Sequence, residues 1–159
     1  MYYRKIVREM NNAGEVSGGV RSLTAAALAF SLNNMYLGNS TGAGVFGLAA
    51  FSFGIASLVF NEEKKFGKRV LPENLYLEKL SEEMLKSSGR AGMYGVLGGL
   101  AAGQSGMVMA DGDLIKGLAG LMAGISCSAM YFRHKLNSVK IENILTFILN
   151  NMKRENEDQ

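Results

Sequence analysis

Polar and apolar positions are unevenly distributed along the chain. No Asp, Glu, Lys or Arg occurs in residues 22–61, 91–110 or 117–132. A helix on the surface of a soluble domain alternates an apolar stripe with charged positions, so charge-free runs of this length belong elsewhere. Around them the pattern predicts four spans, at 20–38, 42–60, 91–110 and 114–132. Each approaches the ~20 residues a helix needs to cross a hydrocarbon core of ~30 Å. In lipid the backbone must satisfy its own hydrogen bonds, which favours helices over any open sheet. Short polar connections, Asn39-Ser40-Thr41 and Asp111-Gly112-Asp113, turn the spans into two antiparallel hairpins.

The remaining segments also read as helical. Pro72 suits a first helical turn, followed by Leu77, Leu80 and Met84 at helical spacing up to about Lys86. Near the C-terminus Ile141, Ile144, Leu145, Ile148 and Met152 form the stripe of an amphipathic helix. That helix is expected to lie on a membrane surface or grip a partner, and Phe147 and Leu149 widen its apolar face toward protein contact. Met1 to Met10 suggests a shorter helix with Tyr3, Ile6, Val7 and Met10 on one face. The fold class is therefore all-α: a single polytopic membrane domain over 1–159, with amphipathic helices on one side.

Charge gives that side a direction. Arg4, Lys5, Arg8 and Arg21 lie on the N-terminal arm. The middle segment carries Lys64, Lys65, Lys68, Arg69, Lys79, Lys86 and Arg90, and the C-terminal part carries Arg133, Lys135, Lys140, Lys153 and Arg154. The hairpin connections hold none, and Lys116 can snorkel from the start of the fourth span. Four spans place all three basic segments on one face, as the positive-inside rule requires. In a bacterium this predicts an inner-membrane protein with both termini cytoplasmic. The N-terminus has no apolar core followed by a cleavage site, so no signal peptide is expected, and Glu9 and Glu15 argue against a mitochondrial presequence.

The sequence also repeats. Residues 47–55 align with 117–125, Glu73-Asn74-Leu75 matches Glu142-Asn143-Ile144, and Ser17-Gly18 matches Ser88-Gly89 at nearly the same offset. An internal repeat over approximately 17–86 and 88–154 follows. Two crossings per unit would give both copies the same orientation, with a pseudo-two-fold axis along the membrane normal.

Two features of the spans carry candidate contacts. Gly95, Gly99 and Gly103 form a glycine zipper on the third span, and Gly117, Gly120 and Gly124 line the fourth. Gly47 and Gly54 occupy the aligned patch of the first unit. Glycine at this spacing lets helix backbones approach closely where lipid offers no hydrophobic driving force. Asn33 and Gln104 fall at matching depths, and intramembrane amides are costly unless paired, so they are expected to pair across the pseudo-axis. Asp111 and Asp113 suit a solvated turn around Gly112.

Composition narrows the chemistry. The chain carries a net charge of +3 and a mean hydropathy of +0.08, an average that conceals the segregation of its charges. No basic stripe of the kind that binds nucleic acid is present. A single histidine, His134, and a single cysteine, Cys127, leave no cluster for a metal or cofactor, and no serine has a base in the sequence pattern to activate it. No catalytic, cofactor-binding or metal site is therefore expected. The expected function is non-enzymatic: a structural or assembly subunit of a larger membrane complex, with lipid, other membrane proteins or copies of itself as partners. The alternative is a homo-oligomeric pore or channel-like protein.

Overall fold

The computed structural model describes residues 2–157, with side chains at 3–61, 69 and 71–155. Met1 and the side chains of Lys64, Lys65 and Lys68 lie outside the described residues. Four helices make up the described fold: α1 (Tyr2–Tyr36), α2 (Ser40–Val70), α3 (Leu75–Ala110) and α4 (Leu114–Glu157). Helix α1 packs antiparallel against α2, and α3 against α4. The hairpins join through α1 and α3, which run parallel, with a smaller contact between α1 and α4; α2 barely touches α3.

The amphipathic segments and the expected spans are not separate elements. Each pair fuses into one unbroken helix, because Ser87, Ser88 and Gly89, or Arg133 to Ser138, contain no proline to end it. With 44 residues, α4 is about 66 Å long, roughly twice the thickness of a hydrocarbon core. Pro72 does not open a helix. It lies in the connection before α3, whose start is set by Asn74: its side-chain oxygen accepts from the amides of Tyr76 at 2.9 Å and Leu77 at 3.4 Å.

The two hairpin turns share one design. Gly38 takes a positive φ of 75°, with its amide donating to Met35 O and that of Asn39 to Asn34 O. Gly112, at φ 91°, repeats this with Met109 O and Asp113 to Val108 O. Both are Schellman caps, in which a left-handed glycine lets the chain satisfy the last carbonyls of the helix. The next residue then caps the following helix: Asn39 Oδ1 accepts from Gly42 N at 2.9 Å and Asp113 Oδ1 from Lys116 N at 3.2 Å.

Along its length the molecule has two kinds of interior. At the end holding both termini, Val7 and Met10 of α1, Leu77 and Met84 of α3, and Ile141, Leu145 and Leu149 of α4 close with Leu71 around an ordinary hydrophobic core. The C-terminal stripe is therefore largely covered by the chain itself. Leu145 is fully buried and Ile141 nearly so, Ile148 and Met152 pack against the core, and only Ile144 and Phe147 face outward.

At the end of the hairpin turns the arrangement inverts. The buried positions are small, with Ala27, Ser31, Ala43 and Ala50 in the first hairpin and Gly98, Ser105, Gly117 and Gly124 in the second. The large apolar side chains point out: Leu32, Leu48 and Phe51 on one hairpin and Met107, Met122 and Ile125 on the other are each more than 60% exposed. Exposing such a surface to water opposes the hydrophobic effect, whereas in hydrocarbon it carries no penalty. Two helices, α2 over Ser40–Asn61 and α4 over Leu114–Glu155, are long and apolar enough to cross a membrane. Only 11% of either window is buried within the chain, which separates them from the core helix of a soluble protein.

Candidate functional site

Between the two interiors lies a layer of polar contacts linking the helices. Glu15 of α1 receives two groups from α4: the Tyr131 hydroxyl donates to Oε1 at 3.2 Å, and the Lys135 ammonium pairs with Oε2. Tyr131 and Lys135 are four residues apart, so one helical turn presents both to the same carboxylate. One turn before Glu15, Asn11 Nδ2 donates to Glu142 Oε2 at 2.6 Å, while its buried Oδ1 has no partner within the chain. On the other side of α1, Arg21 reaches α2, with Nη2 donating to Asn61 Oδ1 at 2.9 Å and Nε to Ser57 Oγ at 3.5 Å. Helices α3 and α4 are joined by Ser87, whose hydroxyl donates to His134 O at 2.9 Å and accepts from Asn137 Nδ2 at 3.2 Å. The rings of Tyr94 and His134 stack in parallel, 5.7 Å apart.

The same level holds the closest helix approach. A Cβ on Gly18 would stand 1.8 Å from the carbonyl oxygen of Gly89, and one on Gly92 would stand 1.8 Å from that of Glu15. Gly14 faces Ser88 in the same way, its virtual Cβ 2.2 Å from the hydroxyl oxygen. Only glycine permits helix backbones this near. Ser17-Gly18 and Ser88-Gly89, the segments matched in sequence, thus meet at the crossing of α1 and α3.

The glycines expected to weld the spans divide into two sets. Gly117, Gly120 and Gly124 face α3: a Cβ there would meet Met109, Ser105 and the Gly98 carbonyl at 2.2, 2.2 and 3.3 Å. Gly95 lies beside the Tyr131 ring and Gly47 beside Ser31. Gly54, Gly99 and Gly103 have nothing within 4 Å of where a Cβ would stand. The surface of α3 that receives α4 is instead built from Gly98, Ala101, Ala102 and Ser105. Positions 92, 96, 99, 103 and 106 lie along one helical face. Its inner part packs on α1 through Gly92 and Val96, and it is open at Gly99, Gly103 and Gly106.

Asn33 and Gln104 are both exposed, and no hydrogen bond joins them. The buried polar groups of this half are hydroxyls closed on backbone: Ser31 Oγ donates to Ala43 O at 2.8 Å and Ser105 Oγ to Ala101 O at 2.6 Å. The next residue after Asn33, Asn34, serves the turn, accepting from Asn39 Nδ2 at 2.9 Å and donating to Phe30 O at 2.9 Å. In the second turn, hydrogen bonds from the Lys116 side chain and backbone hold the Asp113 carboxyl below its ordinary pKa.

Among the described residues no three His, Cys, Asp or Glu side chains come together that could hold a metal ion. Gly14 stands outside the packing set that the sequence suggests, whereas Gly92 and Gly98, beside the third span's zipper, pack on α1 and α4, and Ser17-Gly18 and Ser88-Gly89 enter the sequence reading only through the repeat. Their small-residue spacing was the available signal. Comparison with protein-family models, curated proteins and solved structures finds no match.

Proposed function

We propose that this chain is a non-enzymatic integral membrane protein crossing the bilayer four times, and that it serves as a structural or assembly subunit of a larger membrane complex. The observation carrying this reading is the open glycine face of α3. Gly99, Gly103 and Gly106 present bare backbone on a half of the molecule whose exterior is otherwise large and apolar. Against lipid alone such a face gains little, whereas against another helix it allows close van der Waals packing. The core formed by α1, α3 and α4 gives the subunit a rigid base on the positively charged side, with both termini cytoplasmic in a bacterial inner membrane.

A homo-oligomeric pore is the second reading, and exposed Gln104 on α3 favours it, since an amide on the apolar half of the molecule could line a passage between copies. The native mass of the complex extracted in mild detergent, with its protein components identified, discriminates the two. Other proteins in the particle support the subunit; a ring of this chain alone moves the pore ahead and is followed by conductance recording. A monomer without partners defeats both.

A further inference from the structure

We propose that the groove between α1 and α3 at their glycine crossing holds the phosphate headgroup of an anionic phospholipid, an inference that rests on the membrane reading above. The groove has a volume of about 440 Å³ and Arg21, Lys86 and Arg90 line it. Gly14, Gly18 and Gly89 line it where the two helices converge, so its floor is main chain and the cations stand around its rim.

None of the three cations forms a salt bridge among the described residues. Neither Lys86 nor Arg90 pairs with a carboxylate among the described residues, and the nearby carboxylate of Glu15 is already held by Lys135. Lys86 and Arg90 also border a smaller cavity on the α4 side that Glu83 shares, without a salt bridge to it. Arg21 is fixed from α2 by Asn61 and Ser57, which use two of its five donors and leave the guanidinium oriented with the rest available. Mutual repulsion among the three falls when a phosphate diester enters, and guanidinium groups suit its oxygens.

Position selects a lipid over free phosphate. Arg21 immediately precedes the charge-free run at 22–61, and Arg90 that at 91–110, so the cations mark where the apolar exterior begins on both helices. The groove also includes Ala25 and Met93, on the hydrocarbon side of those charges. A bound lipid would leave its headgroup on the cations and its chains along the apolar surface, as basic pockets between membrane helices do.

The test uses the full chain, purified in mild detergent, delipidated, and titrated with phosphatidylglycerol or phosphatidylcholine while bound lipid is counted by native mass spectrometry. Phosphatidylglycerol is expected to bind at least about tenfold tighter. Combined Arg21→Gln, Lys86→Gln and Arg90→Gln should abolish that preference, while the equal charge loss of Arg8→Gln, Lys79→Gln and Lys140→Gln should retain it. Retention by the first variant, or equal loss in the second, overturns the site. Should the first variant not fold, Lys86→Gln with Arg90→Gln replaces it under the same criterion. Competition by soluble glycerol 3-phosphate at the affinity of the whole lipid also overturns it, in favour of a free-phosphate site. Carbonate extraction of native membranes separates the two claims: a chain that washes off defeats the membrane reading and the lipid site together, whereas one that stays but shows no lipid preference defeats only the site.

Discussion

Gly18 and Gly89 touch backbone to backbone: the space a Cβ on Gly18 would need lies 1.8 Å from the Gly89 carbonyl oxygen. No rotamer relieves that contact, because the obstacle is main chain. Gly18→Ala should therefore force α1 and α3 apart and destabilise the fold by about 1–3 kcal/mol. Thermal unfolding in detergent measures it, and a variant as stable as the natural chain would refute the close crossing.

Gly99 provides the contrast. Nothing stands within 4 Å of its virtual Cβ, so Gly99→Leu should leave the monomer's unfolding temperature unchanged while abolishing its association with partners or copies. Unchanged assembly, seen as an unaltered native mass, would remove the open glycine face from the interface.

The C-terminal stripe divides by burial. Leu145 is fully buried among Val7, Met10 and Met84, and Leu145→Ala should cost about 2–5 kcal/mol. Phe147 is 67% exposed on the same helix, and Phe147→Ala should change stability by less than about 0.5 kcal/mol. Equal losses at the two positions in chemical denaturation would contradict this core.

A double-mutant cycle isolates the contact between Glu15 and Lys135. Both side chains are more than two-thirds shielded from solvent, so Glu15→Gln and Lys135→Met should show a coupling of roughly 0.5–3 kcal/mol. Additive effects would show the pair to be energetically idle.

At the second hairpin turn the expected effect depends on pH. Asp113 has a lowered pKa, owing first to the Lys116 side chain and then to its backbone amide. Its ionised form therefore adds stability that is fully present above the ordinary Asp pKa and is lost as pH falls through the lower, folded value. Asp113→Asn keeps a capping oxygen but no titration, so it should flatten the dependence of stability on pH in that acidic window. An unchanged profile would exclude Asp113 as its source.

Much of this architecture can be read from the sequence, and the omissions have physical causes. Charge-free runs and the polar residues around Gly38 and Gly112 locate the hairpin turns to within a few residues, because left-handed glycine and a capping Asn or Asp are local requirements. Which way a helix faces is not local. The spacing of Gly95, Gly99 and Gly103 announces a bare stripe but not its occupant, and in the chain that stripe is largely open while Gly98 and Ser105 receive α4. Likewise the stripe at Ile141, Leu145 and Leu149 declares an apolar face, yet its partners, Val7, Met10, Leu77 and Met84, lie far away in sequence. Asn33 and Gln104 match in depth without meeting, since equal depth says nothing about rotation around each helix axis.

The unbroken course of α1 and α3 through their glycine crossing makes the molecule a pair of levers on a shared pivot. With no hinge on either side, a change of angle at Gly18 and Gly89 cannot be absorbed nearby and appears at both ends. The arm of α1 beyond the pivot is about 27 Å long, so a tilt of about 10° displaces its turn by about 5 Å. Whatever grips the core end of this protein therefore has mechanical access to the spacing of the two hairpin turns at the opposite end.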